Sequence, residues 1–297
     1  MSMRKLARAA LAAALVWALL ASCTVTGSAK LFKPGDAETL SEALGAGPYK
    51  VVVEHIDAFE FRLFGFDLSN GIWGKGGPIR EIVIDEDAAE SAVVLSGGAR
   101  TLAHLALTVD EDAQEIRVSL PRCVFWLFEN SSVSIAVGAP VESLEVDASG
   151  RIDVSYEGIG LDEFRLRTDG PVIGTYSFAG PAQKLDLNIR ELGKATVTGE
   201  SVENVVYKAS AGFIDAYDLP AKNADITCFS AAFVKQYFQR EGKLIARINS
   251  GSEVWYDYLR FDDDADPAHE NPLPAPDVSQ VYLAENGRLV KYFWVDT

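Results

Sequence analysis

Residues able to do chemistry are few in this chain, and they stand apart. His55, His104 and His269 are the only histidines, and none lies at metal-ligand spacing from another or from a cysteine. His104, in the turn Thr101–Leu107, reads as a half-buried packing residue. No GxSxG turn marks a nucleophilic serine, and neither GxxxxGK[ST] nor GxGxxG follows a strand pattern. No catalytic residue is therefore assigned. Glu191, Lys194, Glu200 and Glu203 would make a polysaccharide-cleaving acid–base cluster only if neighbouring repeats stacked to bring them together; solvated surface is the plainer reading. Asp262, Asp264 and Asp266 alternate as Ca²⁺ ligands can. Counted from Asp262, however, an EF-hand would need Gly and Glu where Pro267 and Leu273 stand. Those three carboxylates are the weak metal candidates, and no other cofactor is expected.

Aromatic side chains offer binding rather than catalysis. Trp73 sits in the Gly-rich stretch 64–78 (FGFDLSNGIWGKGGP), a platform for a sugar ring or a partner protein. Trp255 and Tyr256, with Tyr258 beside them, form a second such candidate; the alternative is that they close a core.

The element that must hold these groups is a repeat. From Leu144 to Tyr258 one pattern recurs six times, opening on Leu144/Val146, Phe164/Leu166, Leu185/Leu187, Val205/Tyr207, Ile226/Cys228 and Leu244/Ala246. Each opening leads through a turn of small or polar residues to a second apolar strand, beginning near Ile152, Val172, Ala195, Ile214, Val234 and Val254. Alternation within strands and a fixed period of about twenty residues predict stacked coils that bury one another's apolar faces. The expected fold is all-β, a right-handed parallel β-helix or solenoid with an N-terminal β region and a C-terminal hairpin cap.

The N-terminus is a targeting segment. Arg4, Lys5 and Arg8 give a positive n-region, and Leu6 through Leu20 supply an apolar stretch interrupted by no acidic residue. Leu20-Ala21-Ser22-Cys23 then resembles the bacterial lipobox, in which the Cys is lipidated and the chain is cut before it. Acylation at Cys23 would anchor the protein to a membrane, since several acyl chains hold where one is marginal. The protein is thus expected to be an exported, membrane-anchored lipoprotein at the outer membrane or cell surface. Removal of 1–22, with three basic and no acidic residues, makes the net charge of −16 more negative still. Such a balance excludes nucleic acid as a partner. Once Cys23 is lipidated, Cys123 and Cys228 remain, as two buried thiols or as a bridged pair.

The expected organisation is a signal peptide (1–22), a lipidated tether with a short helix from Asp36 through Leu44 (23–49), a β-solenoid domain (50–258), an acidic and Pro-rich linker (259–278) and a β-hairpin (279–297) turning at Asn286-Gly287. The hairpin would cap the open end of the solenoid or pass to a neighbouring subunit and make an oligomer.

Four blocks carry a family resemblance. Val51 to Leu63 (VVVEHIDAFEFRL), Val93 to Leu120, Val133 to Val154 (VSIAVGAPVESLEVDASGRIDV) and 244–256 (LIARINSGSEVWY) follow in the order of the auto-transporter adhesin head GIN domain, which this chain resembles over about 50–258. Its turns depart from the family's Ser-Gly-x-Gly: the first Gly is replaced in Ser210-Ala211-Gly212 and in Ser230-Ala231-Ala232, and Ala231-Ala232 implies another turn type or strain. The resemblance implies an adhesin-like, non-catalytic head at the cell surface that binds carbohydrate or an envelope partner. The alternatives are a polysaccharide-active enzyme on the same scaffold and a purely structural envelope protein.

Overall fold

A computed structural model of the chain describes residues 35–56, 62–63, 66–67, 79–119, 132–148, 150–158, 160–167, 172–249, 251–258, 275–284 and 286–291. Among these the protein is all-β apart from a single helical turn, Ala99–Leu102. Twenty of the described strands join one mixed sheet.

Most of that sheet is two parallel ladders. Ladder one runs through Glu115–Ser119, Tyr49–Ile56, Val141–Ala148, Leu161–Arg167, Ala182–Arg190 and Val202–Ser210. It continues through the later parts of Phe213–Phe229 and Phe233–Ile248 to Asp277–Leu283. Ladder two runs through Val133–Val137, Ile79–Asp85, Asp153–Glu157, Val172–Phe178 and Lys194–Gly199. The early parts of the same two long strands, then Glu253–Tyr258 and Arg288–Lys291, complete it. From Leu161 onward the chain alternates between the ladders, and each return places a strand beside the one laid down a round earlier.

Apolar alternation drives this arrangement, because every second side chain of a strand faces inward and only a neighbouring round can cover it. Leu144, Phe164, Leu185, Val205, Ala224 and Leu244 stand in one inward column, in register. None of the six is more than 3% exposed. In the fifth round the inward pair is Ala224/Ile226 rather than Ile226/Cys228, two residues away from the pair that the sequence pattern suggests. An offset of two keeps the face, and Cys228 is still buried, between Ala209 and Ile248 in its column.

Cys228 carries a free thiol, and burial pushes its pKa up to about 12. A chain carrying Cys23→Ser and Cys123→Ser is therefore expected to resist a maleimide at pH 8 until denaturant is added. Modification of the folded chain at the unfolded rate would contradict this. Cys23 and Cys123 lie outside the described residues.

Three expectations change. The sheet is mixed, not purely parallel: Ala92–Gly98 pairs antiparallel with Val133–Val137, and Ala106–Asp110 with Glu115–Ser119. The segment expected to be a short helix is the strand Ala37–Ala43, antiparallel to Ala92–Gly98 over seven residue pairs. So short a helix nucleates poorly, whereas an open sheet edge supplies partners along its whole length. Asp277–Leu283 and Arg288–Lys291 do not form a hairpin with each other; each adds a parallel strand to its own ladder. Asn286 does adopt positive φ, as an Asn-Gly turn requires, but the turn joins two ladders. The reason is burial, since Val281 and Leu283 then stack on Ala246 and Ile248, which become fully buried.

The turns with few glycines are built from left-handed residues, Glu191 and Leu192 in one round and Ser230 and Ala231 in another. Backbone bonds between rounds hold them, Leu192 N–H donating to Ala211 O at 2.9 Å and Ala211 N–H to Phe229 O at 3.2 Å.

Candidate functional site

The middle of ladder one's outer face is charged, and its charges pair with one another. Glu145, Arg165 and Asp186 form one column of alternating sign, and Arg165 lies 2.9 Å from Glu163, 3.8 Å from Glu145 and 3.8 Å from Asp186. Lys184 reaches Glu163 at 2.8 Å. Burial alone would raise the Glu163 pKa, but the Lys184 hydrogen bond and the Arg165 charge together hold it below the ordinary value. A depressed carboxylate stabilises the fold above its unfolded pKa, and that contribution is lost as pH falls through the folded one. Glu163→Gln should therefore flatten the loss of thermal stability below about pH 4.5. An unchanged acid limb in a melting series would refute this.

Ladder two presents a different outer face. Lys194, Phe213, Phe233 and Glu253 stand in register at the first outward position of successive rounds. Phe213 and Phe233 stack with centroids 5.2 Å apart and planes 9° from parallel. Trp255, in the next outward column, leans on Phe233 at 5.4 Å, and its Nε1–H donates to Glu253 at 2.9 Å. Lys194 Nζ lies over the Phe213 ring, 5.6 Å from its centroid. Tyr217 and Tyr237 make a second pair at 5.5 Å. All five rings are half-buried. Because the phenylalanine faces meet each other, what solvent meets is a strip of ring edges, apolar and held rigid by the ladder.

Trp255 is therefore outward and part of a larger row. Tyr256 is not: it points inward, is 9% exposed and packs edge-on to Phe238 at 6.5 Å, so its place is the core. Tyr258 is covered by Lys291, whose Nζ donates to its hydroxyl at 2.9 Å. Phe213 and Phe233 are not among the sequence candidates although a signal exists, since each immediately precedes the inward residue that opens a second strand, Ile214 and Val234.

The acid–base cluster does not assemble. Glu191 and Lys194 lie where ladder one passes to ladder two, whereas Glu200 and Glu203 lie where the chain returns, and Glu203 is bonded to Lys222 at 2.7 Å. His104 is exposed, in the turn after the helix, rather than half-buried. Among the described residues no three His, Cys, Asp or Glu side chains gather as a metal site. Asp262, Asp264, Asp266 and Trp73 lie outside those residues. Also among them, no helix is long and apolar enough to cross a membrane.

A family model described as "Putative auto-transporter adhesin, head GIN domain" matches residues 77–257, more than half of the chain. The protein belongs to this adhesin head GIN-domain family. The match starts after the Val51–Leu63 block, which the resemblance includes. Similar solved structures share the fold of this GIN-domain protein. A putative lipid binding protein from Parabacteroides distasonis has 13% identity and a TM-score of 0.50, covering 87% of this chain and 98% of its own. A putative adhesin from Bacteroides fragilis has 12% identity and a TM-score of 0.51, covering 75% and 89%. One from Parabacteroides merdae has 10% identity and a TM-score of 0.50, covering 87% and 97%. No curated protein matches the chain.

Proposed function

We propose that this GIN-domain protein is an exported lipoprotein, anchored by acylated Cys23 at the outer membrane or cell surface, and that it works as a non-catalytic adhesive head. Its body is a right-handed parallel β-helix. Its outward faces bind a carbohydrate or another envelope component. The observation that carries the reading is the row Phe213, Phe233 and Trp255. Rings held half-buried at outward positions contribute little to the core, yet together they offer an apolar contact strip on a rigid support. Family membership supports the adhesive role.

The test is binding of the full chain, purified in detergent, to a glycan array and to immobilised envelope extract, beside a Phe233→Ala, Trp255→Ala chain and a Trp73→Ala chain. The double substitution should weaken capture several-fold while circular dichroism keeps its strand signal. If the full chain binds no glycan and no envelope component, the adhesive reading fails.

A further inference from the structure

We propose that the edge along which ladder one turns into ladder two is a track for an anionic polysaccharide lying parallel to the ladder axis. This deepens the adhesive reading and rests on it. The chain as a whole is strongly acidic, with a formal charge of −16, yet among the described residues cations outnumber acids along this edge. On the outer face of ladder one, Asn188, Lys208, Thr227 and Arg247 share a column; Arg167 follows Leu166, the partner of Leu187, and stands opposite Asp147, and Arg190 stands two residues nearer the turn. Just past the turn, the first outward column of ladder two holds Arg151, Lys194 and Arg288 in register with Ile173, Phe213 and Phe233.

Round by round, a cation therefore stands at this edge at every level from Arg151 to Arg288 except that of Phe233. At that level Phe229 takes its place, 46% exposed, and Ile173, two rounds nearer Arg151 than Phe213, is 54% exposed. The acids beside these cations, among the described residues, are Asp147, Asp153, Glu191, Asp225 and Glu253; Asp153 lies 3.2 Å from Arg151, Asp225 3.0 Å from Arg247 and Glu253 2.9 Å from Arg288. Arg167 and Lys208 are exposed and make no ion pair with a described residue. The opposite edge, where ladder two returns to ladder one, is acidic on balance among the described residues, with Glu157, Asp162, Glu200 and Asp218 all exposed and Lys222 bonded to Glu203 at 2.7 Å.

Strand spacing puts the levels about 4.8 Å apart, so the row extends over roughly 29 Å. It is long and about one turn wide. A flat anionic bilayer calls for cations spread over a plane, whereas a linear polymer with carboxylates at regular intervals meets one cation per step. Between charges a sugar ring offers C–H surface to Ile173, Phe213 and Phe229. Uronate chains have this alternation of charge and apolar ring.

The experiment titrates the full chain in detergent with polygalacturonate, hyaluronan, neutral dextran and phosphatidylglycerol vesicles, at low and physiological salt. The acidic polysaccharides should bind, more weakly as salt rises, and dextran should not. Arg167→Glu with Lys208→Glu should weaken binding by about tenfold or more with an unchanged melting curve, while Glu157→Lys on the opposite edge should not weaken it. Equal binding by the charge-reversed chain, equal binding of dextran, or binding of vesicles alone would each overturn the proposal. If charge reversal leaves envelope capture intact while Phe233→Ala, Trp255→Ala removes it, the adhesive reading stands and the anionic track falls. If the full chain captures nothing, both fall.

Discussion

Phe164→Ala should lower the stability of the folded chain by about 4 kcal/mol, because a fully buried phenyl ring is removed from a core that cannot close over the space. Phe164 is the junction of the two inner faces. It stands between Leu144 and Leu185 on ladder one, and its ring lies 5.6 Å from that of Tyr176 and 5.3 Å from that of Phe178 on ladder two. In a body whose rounds touch only their neighbours, such a cavity also weakens coupling between the halves on either side. The melting temperature is expected to fall by roughly 10 °C, and the transition to broaden. Differential scanning calorimetry of the two chains decides it; a shift under about 2 °C would mean that the core repacks around the missing ring. Phe164→Leu, which keeps most of the volume, should lose much less.

Gly174→Ala should be nearly as damaging, although it adds only a methyl group. Gly174 occupies an inward position in register with Ala195, Ile214, Val234 and Val254, where every other round carries a side chain. It carries none because a Cβ there would run into the carbonyl oxygen of Ile152 and lie 2.8 Å from the Tyr176 hydroxyl. The first of these is backbone and cannot swing aside. The irregular step at Ile152, between the strands Gly150–Arg151 and Asp153–Glu157, brings that carbonyl in. A cost of about 3 kcal/mol is expected, felt as lost soluble yield and a lowered melting point. The next residue in the column supplies the control: Ala195→Gly relieves no clash and should cost only about 1 kcal/mol, through backbone freedom gained by the unfolded chain. Equal melting curves for Gly174→Ala and the parent chain would refute the close approach.

These two positions mark how far the sequence can be read. Phe164 is legible as an inward residue because large apolar residues recur at its place in other rounds. Gly174 is hidden behind Val172, since nothing local reports that a carbonyl from the previous round presses against it. The same limit explains the offset at the fifth round: Ala224 is too weakly apolar to stand out, so Ile226/Cys228 looks like the opening pair. It also explains Ala37–Ala43, whose composition suits a helix and whose strand conformation comes from an edge far along the chain at Ala92–Gly98. Trp255 is visible as an aromatic near the end of the repeats, but its partners Phe213 and Phe233 become a row only when successive rounds are laid side by side.

The amino-acid sequence by itself determined the all-β class, the twenty-residue period and which face of most strands turns inward, because these follow from alternation along a single strand and its recurrence. It also carried the family, through the order of its blocks. Only the tertiary structure decided which residues meet across rounds: the antiparallel strands at the N-terminal end, the parallel final strands in place of a hairpin, the buried place of Tyr256 and the separation of Glu191 and Lys194 from Glu200 and Glu203. Those are relations between residues on different strands, set by backbone pairing and register. A neighbour about twenty residues away leaves no local mark on composition, yet it lies a single strand spacing away in the fold.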